Sequence, residues 1–138
     1  LRSCADRILY FLLESQRQLP PAAPILPHAG RIRVIEDYIR AHCAEPLDLA
    51  SLAERACLSP VYFHRIFTAC TGVTPAQYVT AVRMDEAKRL LISTDRPISE
   101  IAECCGFSSQ AYFADRFKAE TGLSPLRYRK RLLSRLEP

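Results

Sequence analysis

The strongest constraint on this chain is an internal repeat. Leu49-Ala50-Ser51-Leu52-Ala53-Glu54-Arg55-Ala56-Cys57-Leu58-Ser59 lines up with Ile98-Ser99-Glu100-Ile101-Ala102-Glu103-Cys104-Cys105-Gly106-Phe107-Ser108. One extra residue enters at Ser109. The match then resumes, Tyr62-Phe63 against Tyr112-Phe113, Phe67 against Phe117, Thr71-Gly72 against Thr121-Gly122, and Pro75-Ala76-Gln77-Tyr78 against Pro125-Leu126-Arg127-Tyr128. Each copy must therefore be one supersecondary unit. In the first, Asp48 can cap a short helix through Leu49, Leu52, Ala53 and Ala56. A tight turn follows at Cys57-Leu58, and Ser59-Pro60 opens a second helix carrying Phe63, Ile66 and Phe67 up to Gly72. A short helix, a tight turn and a second helix make the helix-turn-helix plan. Small Ala53 and Ala102 fall where two helices approach closely, and Leu58 and Phe107 plug the space just past each turn.

Between the copies runs Thr74 to Leu91, which the spacing predicts as one helix. Thr74 is a good N-cap, Pro75 suits the first helical position, and Gln77 completes a capping box. Asp85 and Arg89 stand at i,i+4 in the favourable order for an exposed pair. Val79, Val82, Ala87, Leu90 and Leu91 spread apolar surface over more than one face, which suits a strut between two small units rather than the core of either. From Pro75 to Ser93 such a helix is about 28 Å long at ~1.5 Å per residue.

Upstream, Leu1, Cys4, Ala5, Ile8, Leu9, Leu12 and Leu13 predict an amphipathic helix to about Gln18, packing on a second copy or on a domain further upstream. Leu19 to His28 holds four prolines in ten residues and reads as an extended linker with His28 solvated. After Gly30, Ile32, Ile35, Tyr38 and Ile39 predict a helix ending near His42 to Glu45, before Pro46. The last segment, Pro125 to Leu136, predicts a helix on which Arg127, Arg129, Lys130, Arg131 and Arg135 form the densest positive patch. The expected architecture is all-α. Residues 1–30 are an amphipathic helix and proline-rich linker, 31–74 the first helix-turn-helix subdomain, 75–94 a long linker helix, and 95–138 the second subdomain with its basic terminal helix.

With 49% hydrophobic and 25% charged residues the chain can bury a core, and its formal charge of +4 allows an anionic partner without demanding one. No secretory leader and no stretch of membrane-spanning length is present, so the chain reads as cytoplasmic and as a fragment of something longer. Six cysteines lack the Cys-x-x-Cys spacing of a zinc or redox motif and read as buried thiols, adjacent Cys104 and Cys105 pointing to different sides of a helix. No metal and no cofactor is expected. Without a glycine-rich phosphate loop, paired zinc ligands or a Gly-x-Ser-x-Gly elbow, an enzyme is not expected either.

Ser59-Pro60-Val61-Tyr62-Phe63-His64-Arg65-Ile66-Phe67, Ile98 to Ala102, Gly106 to Phe113, Thr121-Gly122-Leu123-Ser124-Pro125 and Tyr128-Arg129 closely resemble the DNA-binding domain of AraC/XylS-type transcriptional regulators. The resemblance covers about Ile32 to Leu133. It implies two helix-turn-helix units that read adjacent major-groove segments of duplex DNA, usually behind a separate effector-binding or dimerisation domain, and that recruit or position RNA polymerase. The implied base-facing residues are Val61, His64 and Arg65 in the first unit and Gln110, Ala111, Ala114 and Asp115 in the second. Arg65 suits guanine, Gln110 adenine, Asp115 cytosine N4, and Val61 a thymine methyl, while His64 can donate or accept. Asp115 stands where this family often has arginine, and Thr68 replaces a basic residue that Lys118 keeps in the second copy. Arg83, Arg96, Lys118 and Arg129 are candidate phosphate contacts. Phe63, Phe67, Phe113, Phe117, Tyr78 and Tyr128 sit at core spacing. The competing reading is a protein-interaction module that no longer binds DNA and acts through its helical surfaces.

Overall fold

The computed structural model describes residues 28–136, all of whose regular structure is helical. The elements are α1 (Ala29–Ala41), α2 (Leu49–Arg55), α3 (Pro60–Thr71), α4 (Pro75–Ser93), α5 (Ile98–Cys104), α6 (Gln110–Thr121) and α7 (Pro125–Leu136). The amphipathic helix and most of the linker expected upstream lie outside the described residues. The chain divides into two compact units between Val82 and Arg83, inside α4.

In the first unit α1 and α2 both pack on α3. Ile32, Ile35 and Ile39 from α1, Leu52, Ala53 and Ala56 from the α2 turn, and Phe63, Ile66 and Phe67 from α3 form one core. Tyr78, Val79 and Val82 of α4 complete it. The helix ends are set locally, as the sequence suggests. Asp48 Oδ1 accepts from Ser51 N–H at 2.7 Å and Ser59 Oγ from Tyr62 N–H at 3.3 Å. At α4, Thr74 Oγ1 accepts from Gln77 N–H at 3.2 Å while Gln77 Oε1 accepts from Thr74 N–H at 3.0 Å, the reciprocal pair of a capping box.

The second unit repeats the construction. The α2 turn closes with Leu58 N–H donating to Ala53 O and Cys57 N–H to Glu54 O, and the α5 turn with Phe107 N–H donating to Ala102 O and Gly106 N–H to Glu103 O, all at 3.0 Å. This Schellman geometry requires a left-handed residue after the helix. Gly106 supplies it at φ 84°, while Cys57 adopts φ 57° as the only non-glycine with positive φ among the described residues. Thr71 and Thr121 recur as a matched pair. Each hydroxyl lies 2.8 Å from the carbonyl one turn back and accepts from the N–H two residues on, at 3.3 and 3.2 Å. The aromatic stacks recur too: Phe63, Phe67 and Tyr78 meet at 5.5 and 5.4 Å, and Phe113, Phe117 and Tyr128 at 5.6 and 5.0 Å. In the repeat, α7 thus plays the part of the first half of α4.

Several expectations need correcting. The helix α4 is not a strut outside both cores: Tyr78, Val79 and Val82 are buried in its first half and Met84, Ala87, Leu90 and Leu91 in its second. Arg89 pairs with Glu86 at i−3, Nε to Oε2 3.0 Å, instead of with Asp85, because the longer Glu86 side chain presents both oxygens to the guanidinium fork. The extra residue of the second copy lies in the turn, since Ser109 takes the capping role of Ser59. Of the described cysteines only Cys105 is buried; Cys43 and Cys70 are half-buried, and Cys57 and Cys104 are exposed. Helical spacing alone puts Cys104 and Cys105 on different sides, and packing then decides that one of them faces solvent. His28 is not solvated, for reasons given below.

Candidate nucleic-acid interface

Each unit presents one helix whose inner face is rooted in the core and whose outer face is bare. On α3, Phe63, Ile66 and Phe67 point inward, which leaves Val61, His64 and Arg65, at i, i+3 and i+4, together on the exposed side. Val61 is 75% exposed, too much for a residue whose purpose is packing. On α6, Phe113 and Phe117 point inward. Gln110, Ala111 and Asp115 are exposed and Ala114 is half-buried, so the second helix offers the same face with shorter side chains.

The two faces differ in charge. Thr68 Oγ1 donates to His64 O at 2.7 Å, so this hydroxyl is turned into its own helix. Its counterpart Lys118 is exposed and carries the second face one turn further. Arg116, which the sequence did not single out, is also exposed on α6, about 100° round from Asp115. Exposure on a helix whose inward face is known was the signal that could have found it.

Arg96 is exposed, with Nη1 3.4 Å from Cys104 Sγ, and Arg83 is half-buried on α4. Arg129 has a structural task. Its Nε donates to Leu91 O at 2.9 Å and its Nη2 to Arg96 O at 2.7 Å, which ties α7 to the carbonyl end of α4 and to the loop that follows it. A phosphate could meet only its remaining donors. The rest of the basic patch on α7, Arg127, Lys130, Arg131 and Arg135, is exposed.

Ionisation is perturbed away from the reading faces. Burial pushes the Glu36 carboxyl on α1 above its ordinary range, and the Arg40 and Arg33 guanidinium groups pull it back in part. Burial likewise raises the Tyr78 phenol, whose hydroxyl has no hydrogen-bond partner, and the Cys70 thiol. Among the described residues no cluster of three metal-ligating side chains is present, and no helix is long and apolar enough to cross a membrane.

The family model of the helix-turn-helix domain matches residues 52–131. The chain belongs to the AraC-type helix-turn-helix family. Among solved structures it is similar to the DNA-binding domain of AdpA, a global transcriptional factor, in complex with a target DNA, with a TM-score of 0.73 and 33% identity over 75% of this chain and 94% of that one. It is also similar to the C-terminal domain of AraT, a response regulator from Geobacillus stearothermophilus, with a TM-score of 0.68 and 38% identity over 80% of this chain and 88% of that one. A probable transcriptional regulator of Photobacterium leiognathi, LumQ, is 39% identical over 95 residues, which is 69% of this chain and 38% of that protein. The chain therefore spans well under two thirds of such a relative.

Proposed function

We propose that this chain is the sequence-specific duplex-DNA-binding part of a transcriptional regulator, and that a single copy reads two adjacent major-groove segments. The observation that carries this reading is the pair of outward helix faces, Val61-His64-Arg65 and Gln110-Ala111-Ala114-Asp115, each backed by a complete core of its own. A helix so mounted fits the major groove, and its side chains have the donors and acceptors that base edges need. Arg65 opposite guanine and Gln110 opposite adenine are the informative contacts. Arg83, Arg96 and Lys118 serve phosphates, and Arg129 joins them only through the donors that α4 leaves free. Because the two faces are chemically unlike, the target is asymmetric and most base specificity lies in the half-site met by α3.

The same reading makes the chain a non-enzymatic module acting in the cytoplasm on promoters, with RNA polymerase as its further partner and an effector-binding or dimerisation domain ahead of it. In vitro selection from random duplexes, followed by base substitution across the selected site at monomeric protein concentration, tests the proposal. Affinity should fall steeply with salt, and sensitivity should concentrate in one half-site. A strictly palindromic requirement would overturn the single-copy geometry. Absence of any salt-dependent duplex binding would favour a protein-interaction module instead.

A further inference from the structure

We propose that His28 is a positioning residue for the first reading helix; the proposal rests on the DNA-binding reading above. His28 directly precedes α1, and its ring meets that of Tyr62 edge-on, with centroids 5.5 Å apart at 84°. Its Nε2 lies 3.3 Å from the Tyr62 hydroxyl, while its Nδ1 is buried with no hydrogen-bond partner among the described residues. Tyr62 belongs to the first turn of α3, where its own N–H is held by the Ser59 cap. Val61 projects from this turn, and His64 and Arg65 from the next one. The contact therefore joins the entrance of α1, an element anchored in the core by Ile32, Ile35 and Ile39, to the part of α3 that must be aimed.

The repeat shows why such a brace is needed on one side only. In the second copy Tyr112 has an aromatic neighbour within its own turn, Phe107, at 6.3 Å. The corresponding residue of the first copy is aliphatic Leu58, so the ring that flanks Tyr62 must come from elsewhere, and His28 supplies it. Tyr112 remains 47% exposed, whereas Tyr62 is half-buried. Packing alone would be met by leucine or phenylalanine without leaving a ring nitrogen buried and unpaired. An imidazole at this place is explained by the hydrogen bond to the Tyr62 hydroxyl. Small losses of alignment in a side chain that must meet a base edge bidentately weaken discrimination more than they weaken stability.

The test uses the whole 138-residue chain with His28→Ala, His28→Gln, Tyr62→Phe and, as the internal control, Tyr112→Phe. On a selected duplex, His28→Ala and Tyr62→Phe should each reduce discrimination against base changes in the first half-site by about three- to tenfold, the worth of one modest hydrogen bond. The double variant should be no worse than either single one. Discrimination in the second half-site and the salt slope should not move, and His28→Gln, which returns a polar partner to the hydroxyl, should recover most of the loss. Tyr112→Phe should leave the first half-site alone. Amide exchange in the first turn of α3 should quicken in His28→Ala while thermal unfolding shifts little. Additive losses in the double variant, equal losses in both half-sites, or unaltered α3 exchange would each overturn the proposal. If the parent chain proves not to select any duplex sequence, the DNA-binding reading falls, and exchange alone decides the brace: acceleration confined to that turn upholds it, unchanged protection refutes it.

Discussion

The two helix-turn-helix units share a frame and differ in what they hold out. Their turns close with the same backbone bonds, their second helices end at Gly72 and Gly122 with φ near 80°, and their threonine and aromatic arrangements agree to within a few tenths of an ångström. The outer faces have moved apart: His64 and Arg65 stand where the second unit has Ala114 and Asp115. Residues that bury apolar area or close a backbone bond are held by packing on all sides, whereas a residue facing solvent is free to change until something binds there. The comparison separates the scaffold from the reading surface within one molecule.

If the frames are equivalent, matched core deletions should cost the same. Phe67→Ala and Phe117→Ala, both fully buried, should each destabilise by about 3–5 kcal/mol, read by urea unfolding. A much milder effect in one unit would break the equivalence. The faces should respond unequally. Arg65→Ala should lower specific affinity by about 1–3 kcal/mol and relax one base position, whereas Asp115→Arg should raise affinity for many sequences and steepen the salt dependence, both read by fluorescence titration at several salt concentrations. Equal losses of Arg65→Ala on specific and random duplexes would make Arg65 a phosphate contact.

The turns sharpen the comparison on a smaller scale. Cys105→Ser places a hydroxyl in a fully buried site and should cost about 1–3 kcal/mol in thermal unfolding, while exposed Cys57→Ser should be nearly neutral. Cys57→Gly copies Gly106 into the first turn and, by removing the left-handed penalty at φ 57°, should stabilise by about 1 kcal/mol. Destabilisation by that change would show that the two turns are not interchangeable. The smallest effect concerns Glu36, whose carboxyl is raised chiefly by burial. Between its unfolded and folded values the folded chain holds the extra proton, so stability declines as pH rises through that window and stays reduced at neutral pH. Glu36→Gln should therefore stabilise at pH 7, with the gain vanishing below the unfolded value, in unfolding curves at stepped pH.

Much of the fold was legible because it is decided locally and stated twice. Caps, turn residues and the 3.6-residue spacing of Phe63 and Phe67 act over a few positions, and the repeat lets each copy check the other. What escaped depends on juxtaposition. Nothing near Arg129 announces that its guanidinium meets Leu91 O, and nothing near His28 announces Tyr62, thirty-four residues on. Arg89 had two carboxylates within reach, and only the geometry chose Glu86. The base-facing positions on α3 and α6 came from the family resemblance, whereas exposure of Cys104 follows from how the neighbouring helices leave it uncovered.

The division of α4 also bears on how such chains can be recombined. Its first half completes one core and its second half supplies Met84, Ala87 and Leu91 to the buried set of the other unit. A genetic crossover in the loop before Pro75 would graft a foreign Tyr78 and Val82 onto the first core, and one after Ser93 would leave the second unit with another chain's Leu91. An exchange of reading units between relatives keeps both interiors intact only when the joint falls within the helix, at the peptide between Val82 and Arg83. The longest of the described helices is thus also the natural splice point.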